Sequence, residues 1–473
     1  MKAVKKNLYV ATLVALLGPV MVGYTLAYTS PAVPDMEDRG VLKTTDQISW
    51  FGSLVAVGAI FGCPIAGFCV GYYGRKNSVI LCSLPFVAGY GMIAFLDNMT
   101  ALYIGRILTG IGTGMVTLST PVYIAELSSP DLRGMLVGGS HLFLGVGMLL
   151  VNAFGISLSY VWLALVGCAI STLLGVLMLF MPETPHYCII KHGRSRALAA
   201  LKWLRGQEYD VDREYELIAS DIHSKSTDFQ YREFFQPNLY IPLSISVIMG
   251  MLKQFSGNNT IWFYTVTILE KSSTTMDKHV AVIIVIVVLV VATLVSILLI
   301  DRTGRRILLI VAGIGMCISS STFGLYYKLE EKKLNDAFIN DVNFTESTST
   351  PPTSPDLTWL SLTSLIVYTL SFSLAWGPIP LLIMSEILPA RAKGPASAVA
   401  TAVNWLSAFI VTKVFFKMSV VMTDAGVFWF YGGVSLLSVI FVALCLPETK
   451  GRSLEEIARH FQRNDTHCRN HCV

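Results

Sequence analysis

The chain has 473 residues, of which 53% are hydrophobic and only 14% charged, and its formal net charge is +4. So few polar side chains cannot cover a soluble domain of this size, which excludes a soluble globular protein. Apolar runs of about 20 residues, the length that crosses a bilayer, recur along almost the whole chain and predict a polytopic membrane protein.

Twelve such runs are predicted, and we number them spans 1 to 12 in chain order. They cover residues 8–28, 48–72, 77–96, 100–124, 135–156, 160–181, 239–268, 279–300, 306–328, 358–388, 395–418 and 426–446. Span 1 follows a basic start, as the apolar part of a signal peptide does. Because its run is long and no convincing cleavage site follows, we predict a retained helix.

The distribution of basic residues predicts the topology. With both termini in the cytoplasm, 24 Lys and Arg fall on the cytoplasmic side and nine on or near the outer side, as the positive-inside rule requires. The net charge therefore reports topology and gives no reason to expect a nucleic-acid partner. Because the short N-terminal tail has no acidic dileucine sequence, we predict a multi-pass protein of the plasma membrane.

Polar stretches divide the chain into four parts. Residues 1–181 are predicted to form a six-span bundle, and 182–238 a charged cytoplasmic linker with short helices. Residues 239–446 form a second six-span bundle with a polar outer loop at 329–357, and 447–473 a cytoplasmic tail. The tail contains Cys and His, which can bind metals, but we interpret it as unstructured and predict no metal site.

Short charged motifs occur at matching positions in both halves, which predicts two six-helix bundles related by pseudo-symmetry. The pairs are Gly74-Arg75-Lys76 with Gly304-Arg305-Arg306, Glu126 and Arg133-Gly134 with Glu386 and Lys393-Gly394, and Pro182-Glu183-Thr184 with Pro447-Glu448-Thr449. The predicted fold class is therefore an all-α membrane protein with twelve transmembrane helices in two bundles.

The same charges predict a gate at the cytoplasmic mouth. Acids and bases beside helix ends can pair in one state of a transporter and separate in another. The alternative is charge that only fixes the orientation of the chain in the membrane. The gating candidates are Arg75, Glu126, Arg133, Glu183, Asp301, Arg305, Arg306, Glu386, Lys393 and Glu448.

With further motifs, these residues resemble the sugar porter family of the major facilitator superfamily over nearly the whole chain. The further motifs are Gly105-Arg106, Pro121 to Glu126, Gln254-Phe255-Ser256-Gly257, Gly377-Pro378-Ile379-Pro380, Asn404-Trp405 and Pro447 to Arg452. Two segments, Ala27 to Pro31 and Ser385 to Arg391, are similar more narrowly to insect facilitated trehalose transporters. The insert before span 10 is similar to that of intracellular-type glucose transporters. The resemblance implies the major facilitator fold and sugar transport.

A neutral sugar needs amides and hydroxyls that both donate and accept hydrogen bonds, and an aromatic face. An amide in a membrane helix can instead bond a neighbouring helix. The resemblance implies sugar contacts, direct or adjacent, for Asn404, Trp405 and Asn152, the last where the family usually has Gln. The candidates in span 7 are Gln254, Asn259, Tyr264 and Trp262.

The sequence departs from the family at two points near these candidates. Lys253 replaces the first Gln of a span 7 pair, and Leu381 replaces a Trp in span 10. A lysine at the centre of a helix costs about 2.5–3.5 kcal/mol on insertion scales, so Lys253 must pair, line water or reach the headgroups. We include Lys253 among the substrate-binding candidates, and the departures leave the exact sugar open.

Two spans are predicted to break. Ser256 and Gly257 would loosen span 7, and Gly377, Pro378 and Pro380 weaken or remove the helical hydrogen bonds of span 10. A broken membrane helix is either a hinge or the lining of a cavity. The alternative for span 10 is a kink that serves packing only.

Span 1 bears on the coupling of transport. The proton-coupled members of the family resemble one another in an Asp of this span, where the present chain has Thr25, which cannot titrate. The resemblance therefore implies uniport, and Arg106, which lacks that Asp, is expected to bond backbone carbonyls. Of the sequons, Asn98 and Asn343 lie outside by this topology, and Asn343, in a long loop, is the better glycosylation candidate.

The predicted function is facilitative (uniport) sugar transport by alternating access, with trehalose or a hexose such as glucose as the cargo. No enzyme activity, cofactor or obligatory protein partner is predicted, and the partners are a small neutral sugar and the lipid bilayer. Three alternatives stay open: a sugar sensor that does not transport, a carrier of another polyol, anionic ones included, and a proton-coupled symporter.

Overall fold

A computed structural model describes residues 6–96, 98–206, 210–224, 234, 236–271, 278–342, 358–388, 393–448 and 450, in which all regular structure is helical. The helices are α1 Lys6–Ala27, α2 Thr29–Asp38, α3 Thr45–Tyr72, α4 Arg75–Phe95, α5 Met99–Leu127, α6 Pro130–Phe154, α7 Tyr160–Leu179, α8 Pro185–Lys191, α9 Arg194–Arg205, α10 Val211–Ser224, α11 Pro237–Phe255, α12 Asn258–Lys271, α13 Lys278–Thr303, α14 Arg305–Val342, α15 Thr358–Ser371, α16 Ile379–Ile387 and α17 Lys393–Cys445.

Eleven helical stretches of the described chain are long and apolar enough to cross a bilayer. The last of them contains α17, whose 53 residues are interrupted at Thr423, where φ is 65°. A β-branched residue with positive φ departs strongly from helical geometry, so α17 holds both span 11 and span 12. The predicted fold class, with twelve spans and only helices, is confirmed.

Helix α14 extends further than the sequence predicted. The outer loop was expected to begin at residue 329, but the helix continues to Val342. The added residues include Leu329 to Lys333, which are good helix formers, and Lys328 pairs with Glu331 at 2.9 Å, one turn apart. Residues 343–357 of the predicted loop lie outside the described residues.

Small residues set the packing within the first bundle. A Cβ added to Gly58 of α3 would lie 2.1 Å from the carbonyl oxygen of Ile107 in α5. One added to Gly110 of α5 would lie 2.2 Å from the carbonyl oxygen of Val55 in α3. The two helices therefore touch backbone to backbone, as is common in membrane bundles.

The two bundles meet along two seams, where α3 packs on α17 and α6 packs on α13. Helices α8, α9 and α10 lie at the end of the molecule where α1 begins, and we call this the linker end. There Asn7 donates to the carbonyl of Trp203 at 2.7 Å, and Arg205 donates to the carbonyl of Leu127 at 3.0 Å. We call the other end, where α3 begins, the opposite end.

Candidate functional site

A cavity of about 120 Å³ lies between the two bundles. The first bundle contributes residues of α1, α5 and α6, and the second contributes residues of α11, α12, α16 and α17. Its wall combines amides, hydroxyls, two indole rings and two basic side chains. These are Thr117, His141, Ser246, Lys253, Gln254, Asn258, Asn259, Trp262, Thr401, Asn404 and Trp405.

The break in span 7 brings two amides to this cavity. Helix α11 ends at Phe255 and α12 begins at Asn258, because Gly257 between them has φ +91°, and a Cβ there would lie 2.4 Å from the ring of Tyr431. Glycine adopts this conformation without steric cost. The predicted loosening of span 7 is thus present, and it places Asn258 and Asn259 in the cavity wall.

The amides are only partly satisfied by one another. Gln254 Nε2 donates to Asn404 Oδ1 at 3.0 Å, and Asn258 Nδ2 donates to Asn259 Oδ1 at 3.3 Å. Within the described chain, Gln254 Oε1, Asn258 Oδ1 and the indole Nε1 of Trp405 are buried without a hydrogen-bond partner. Buried polar atoms without partners are costly, so the cavity holds two acceptors and one donor that suit a polar ligand.

Lys253 reaches the cavity and the break in span 10. Its Nζ donates to the carbonyl oxygen of Gly377 at 2.9 Å and lies 5.7 Å from the centre of the Phe372 ring. The sequence left open whether Lys253 pairs, lines water or reaches the headgroups. The structure places it in the wall of the cavity between the bundles.

Span 10 is interrupted over several residues. Helix α15 passes into a π-helical segment, Phe372–Trp376, and Gly377 N–H donates to the carbonyl of Phe372 at 2.8 Å. Regular helix resumes at α16, which contains Pro380 and Leu381 in the cavity wall. The predicted break is therefore observed, and its cause is that prolines cannot donate helical hydrogen bonds. The part of α16 that lines the cavity follows directly after the break.

A layer that we call the seal closes the cavity toward the opposite end. It consists of Asp46, Ser49, Trp50 and Gly52 of α3, Tyr264 of α12, and Lys413, Phe415 and Phe416 of α17. Tyr264 stacks on Phe415 with ring centres 5.5 Å apart, and its hydroxyl lies against Gly52, where a Cβ would be 2.4 Å away.

An ion pair joins the two bundles at the rim of the seal. Lys413 Nζ lies 2.8 Å from Asp46 Oδ1, donates to Ser49 Oγ at 2.8 Å and lies 4.1 Å from the centre of the Trp50 ring. Since Tyr264 belongs to this closed layer, the structure does not bring it into the cavity wall with the other span 7 candidates.

Asn152 also lies away from the cavity. Its side chain is buried and donates to the carbonyl of Met148 at 2.9 Å, within its own helix. The sequence, for its part, missed His141, Thr117, Ser246 and Thr401, which line the cavity. His141 carried a usable signal, because a histidine in an apolar membrane helix commonly faces a bundle interior.

Arg106 bonds oxygen atoms near the seal, as expected. Its guanidinium donates to the carbonyls of Phe51 at 3.1 Å and Thr25 at 3.4 Å, and to the hydroxyl of Thr29 at 2.6 Å. Thr25 itself shares a hydrogen bond of 2.9 Å with the hydroxyl of Tyr90. Hydroxyls and carbonyls therefore surround Arg106 where the resemblance pointed to a missing carboxylate.

The charged motifs of the first bundle form one cluster at the linker end. Arg75 pairs with Glu126 at 2.8 Å, and Thr184 Oγ1 donates to the same carboxylate at 2.6 Å. Glu183 accepts the backbone N–H groups of Arg75 at 3.1 Å and Lys76 at 3.0 Å. Burial raises the pKa of Glu183, and these donors act in the opposite direction.

The second bundle repeats this cluster. Arg305 pairs with Glu386 at 3.4 Å, and Glu448 accepts the backbone N–H groups of Arg305 at 3.1 Å and Arg306 at 3.2 Å. Each of these contacts ties helices of one bundle together. The side chains of the other gating candidates, Arg133, Asp301 and Lys393, lie outside the described residues.

The glycosylation candidates differ in their surroundings. Asn98 precedes α5 and is exposed, and its side-chain oxygen caps that helix by accepting the N–H of Ala101 at 2.7 Å. Asn343 lies outside the described residues.

Comparison with known proteins gives a consistent result. A family profile described as "Sugar (and other) transporter" matches residues 10–461. The solute carrier family 2, facilitated glucose transporter member 8 of Bos taurus is 36% identical over 97% of this chain and 95% of its own length. The facilitated trehalose transporter Tret1 of Apis mellifera ligustica is 37% identical over 95% of this chain and 87% of its own.

Solved structures show the same fold. The xylose transporter XylE from E. coli, in a partially occluded inward-open conformation, superposes with a TM-score of 0.77 at 23% identity, over 94% of this chain and 99% of its own. A second structure of the major facilitator superfamily, the proton:xylose symporter XylE bound to 6-bromo-6-deoxy-D-glucose, gives a TM-score of 0.76 at 24% identity, over 96% and 99%. These likenesses identify the major facilitator fold.

Proposed function

Because the chain belongs to the sugar transporter family, whose members compared above are transporters and not enzymes, we propose that it is a facilitative sugar transporter. It works by alternating access as a uniporter and carries trehalose or a hexose such as glucose. This proposal extends to the present chain what the names of its glucose- and trehalose-transporting relatives state of those proteins.

The cavity supports a sugar as the cargo. The observation that carries the proposal is the set of buried atoms without partners, Gln254 Oε1, Asn258 Oδ1 and Trp405 Nε1, within the described chain. Sugar hydroxyls both donate and accept, so one polyol can satisfy all three atoms. Asn259, Asn404 and the ring of Trp262 complete the site. Asn152 and Tyr264 lie outside it in this conformation and act, in our proposal, in the packing of α6 and in the seal.

The two ends of the molecule support alternating access. The cavity lies on the linker side of the seal, so the conformation is closed toward the opposite end. We assign the linker end to the cytoplasm, because basic residues concentrate there. The charged clusters then act as the cytoplasmic gate, with Arg133, Asp301 and Lys393 as further members, and the break around Gly377, Pro378 and Pro380 acts as the hinge.

The absence of an acidic side chain supports uniport. The cavity wall contains no Asp or Glu in the part of the chain that is described, and Arg106 donates to two carbonyls and a hydroxyl. In the proton-coupled members of the family the titratable group is an Asp of span 1, and this chain has Thr25 at that position, which cannot titrate. Residence in the plasma membrane and a glycan at Asn343 or Asn98 complete the proposal.

The experiment is uptake of labelled trehalose and glucose into proteoliposomes that contain the purified chain, with and without a pH gradient. We expect uptake of at least one sugar, unchanged when the gradient is collapsed. Gln254→Ala should reduce it at least about tenfold, because it removes a buried acceptor and the bond to Asn404.

Asn77→Ala is the matched control, since it removes an exposed amide that bonds the carbonyl of Tyr73 far from the cavity. Uptake that depends on the pH gradient would replace uniport with proton coupling. No uptake of any sugar by correctly inserted protein would replace transport with sensing.

A further inference from the structure

The cavity contains positive charge without a matching negative charge. Lys253 lies in its wall and uses one of the three donors of its ammonium group on the carbonyl of Gly377. Among the described residues that line the cavity, none is an Asp or Glu. A cation away from bulk water is costly unless an anion accompanies it, so the ammonium group of Lys253 lacks a counter-charge at this site.

A second basic side chain faces Lys253 from the other bundle. His141 of α6 lines the same cavity, on the wall that the first bundle forms. Two basic groups on opposite walls of one cavity are the arrangement that a bound anion would bridge.

Two further features point the same way. Trp405 Nε1 is a buried donor without a partner, and an indole N–H can only donate. Helix α12 begins in the cavity wall at Asn258, and the first N–H groups of a helix carry partial positive charge. In broken membrane helices such ends commonly face the anionic groups of substrates.

We propose that the cavity binds carbohydrates that carry a carboxylate or phosphate group, with Lys253 as the counter-charge and Trp405 as a further donor. Gln254 Oε1 and Asn258 Oδ1 accept from the hydroxyls of the same sugar. This inference rests on the proposed function, since it names a class of cargo for the same site. Neutral sugars fill the hydroxyl contacts alone and leave Lys253 on the carbonyl of Gly377.

The test measures competition for uptake of labelled glucose or trehalose in proteoliposomes. The competitors are glucuronate, glucose 6-phosphate and, as the neutral reference with the same ring, unlabelled glucose. We expect at least one of the two anions to inhibit about tenfold more strongly than glucose, since a bond between charged groups is stronger than one between neutral groups. The anion that inhibits identifies carboxylate or phosphate as the preferred group.

Variants of Lys253 test whether its positive charge strengthens the binding of the anion. The quantity to compare is the inhibition constant of glucose divided by that of the anion. In Lys253→Gln this ratio should fall about tenfold, to near one. In Lys253→Arg it should stay above one. Lys202→Gln, which removes an exposed lysine in α9, is the control for net charge. If neither anion inhibits better than glucose, or if Lys253→Gln weakens anion and glucose equally, the proposal is wrong and Lys253 only ties α11 to the break in span 10.

A failure of the proposed function looks different. In that case the wild-type protein takes up no labelled sugar, and binding of glucuronate and glucose 6-phosphate to the purified protein is measured by calorimetry instead. Binding that Lys253→Gln removes would keep the anionic site without transport, and no binding would overturn it.

Discussion

The two ends of the molecule are held together in different ways. At the linker end, two charged clusters tie the helices within each bundle, and the same contacts occur twice, around Arg75 and around Arg305. At the opposite end, within the described residues, contacts cross between the two bundles: Tyr264 of the second packs against Gly52 of the first, and Lys413 pairs with Asp46. Changes at the linker end should therefore alter the stability of each bundle, whereas changes in the seal should alter the relation between bundles.

The largest effect is expected for Tyr264→Ala. Removal of a buried aromatic ring costs about 3–5 kcal/mol. Part of this cost falls on the closed conformation, because the ring, which stacks on Phe415 of its own bundle, also packs against Gly52 of the other bundle. The cavity should open toward the opposite end more often. In a Thr117→Cys background, the rate of labelling by a membrane-impermeant maleimide added at that end should rise at least about tenfold.

Tyr264→Phe is the matched control for this change. The hydroxyl has no hydrogen-bond partner in the described chain, so its removal should leave the labelling rate close to that of the parent. Equal opening by both variants would mean that the hydroxyl, and not the ring, holds the seal.

A smaller effect is expected from the clusters at the linker end. Glu126→Gln removes the charge that pairs with Arg75 through bonds of 2.8 and 3.0 Å and should destabilise the protein by about 2 kcal/mol. Glu386→Gln should cost about 1 kcal/mol, because its contact with Arg305 is longer, at 3.4 Å. The melting temperature in detergent should therefore be highest for wild type, lower for Glu386→Gln and lowest for Glu126→Gln. The reverse order of the two variants would show that the lengths of these ion pairs do not predict their contributions to stability.

The smallest effect is expected for Asp46→Asn at the rim of the seal. Asp46 is 63% exposed, and exposed ion pairs contribute little, so labelling at Thr117→Cys from the opposite end should rise only about twofold. The difference should vanish at about 1 M salt, which screens such pairs within a few ångströms. A tenfold rise would instead make this ion pair, and not the aromatic layer, the main contact between the bundles.

Several features of the site could be predicted because their causes are local in the chain. The breaks of spans 7 and 10 follow from glycine and proline chemistry at Gly257, Pro378 and Pro380. The cluster around Arg75 and its repeat around Arg305 follow from motifs in short turns. Of the polar candidates, Gln254 and Asn259 line the cavity because they flank the break that the sequence predicted.

Other features could not be predicted, because they depend on the rotation of each helix about its axis. Asn152 and Tyr264 were grouped with the cavity, yet one bonds within its own helix and the other lies in the seal. Helix α14 also continues beyond the predicted span 9, because the charged residues after Lys328 are good helix formers.

The sequence by itself determined the membrane class, the twelve spans, the repeat and the positions of the breaks, because apolar length, proline and glycine act through the nearest residues. Only the tertiary structure decided which side chains meet across the bundles. His141 and Lys253 line one cavity, Lys253 reaches Gly377, and Asp46 pairs with Lys413, 367 positions away. Such meetings follow from how twelve helices pack side by side, and a pattern within one helix carries no information about its partner.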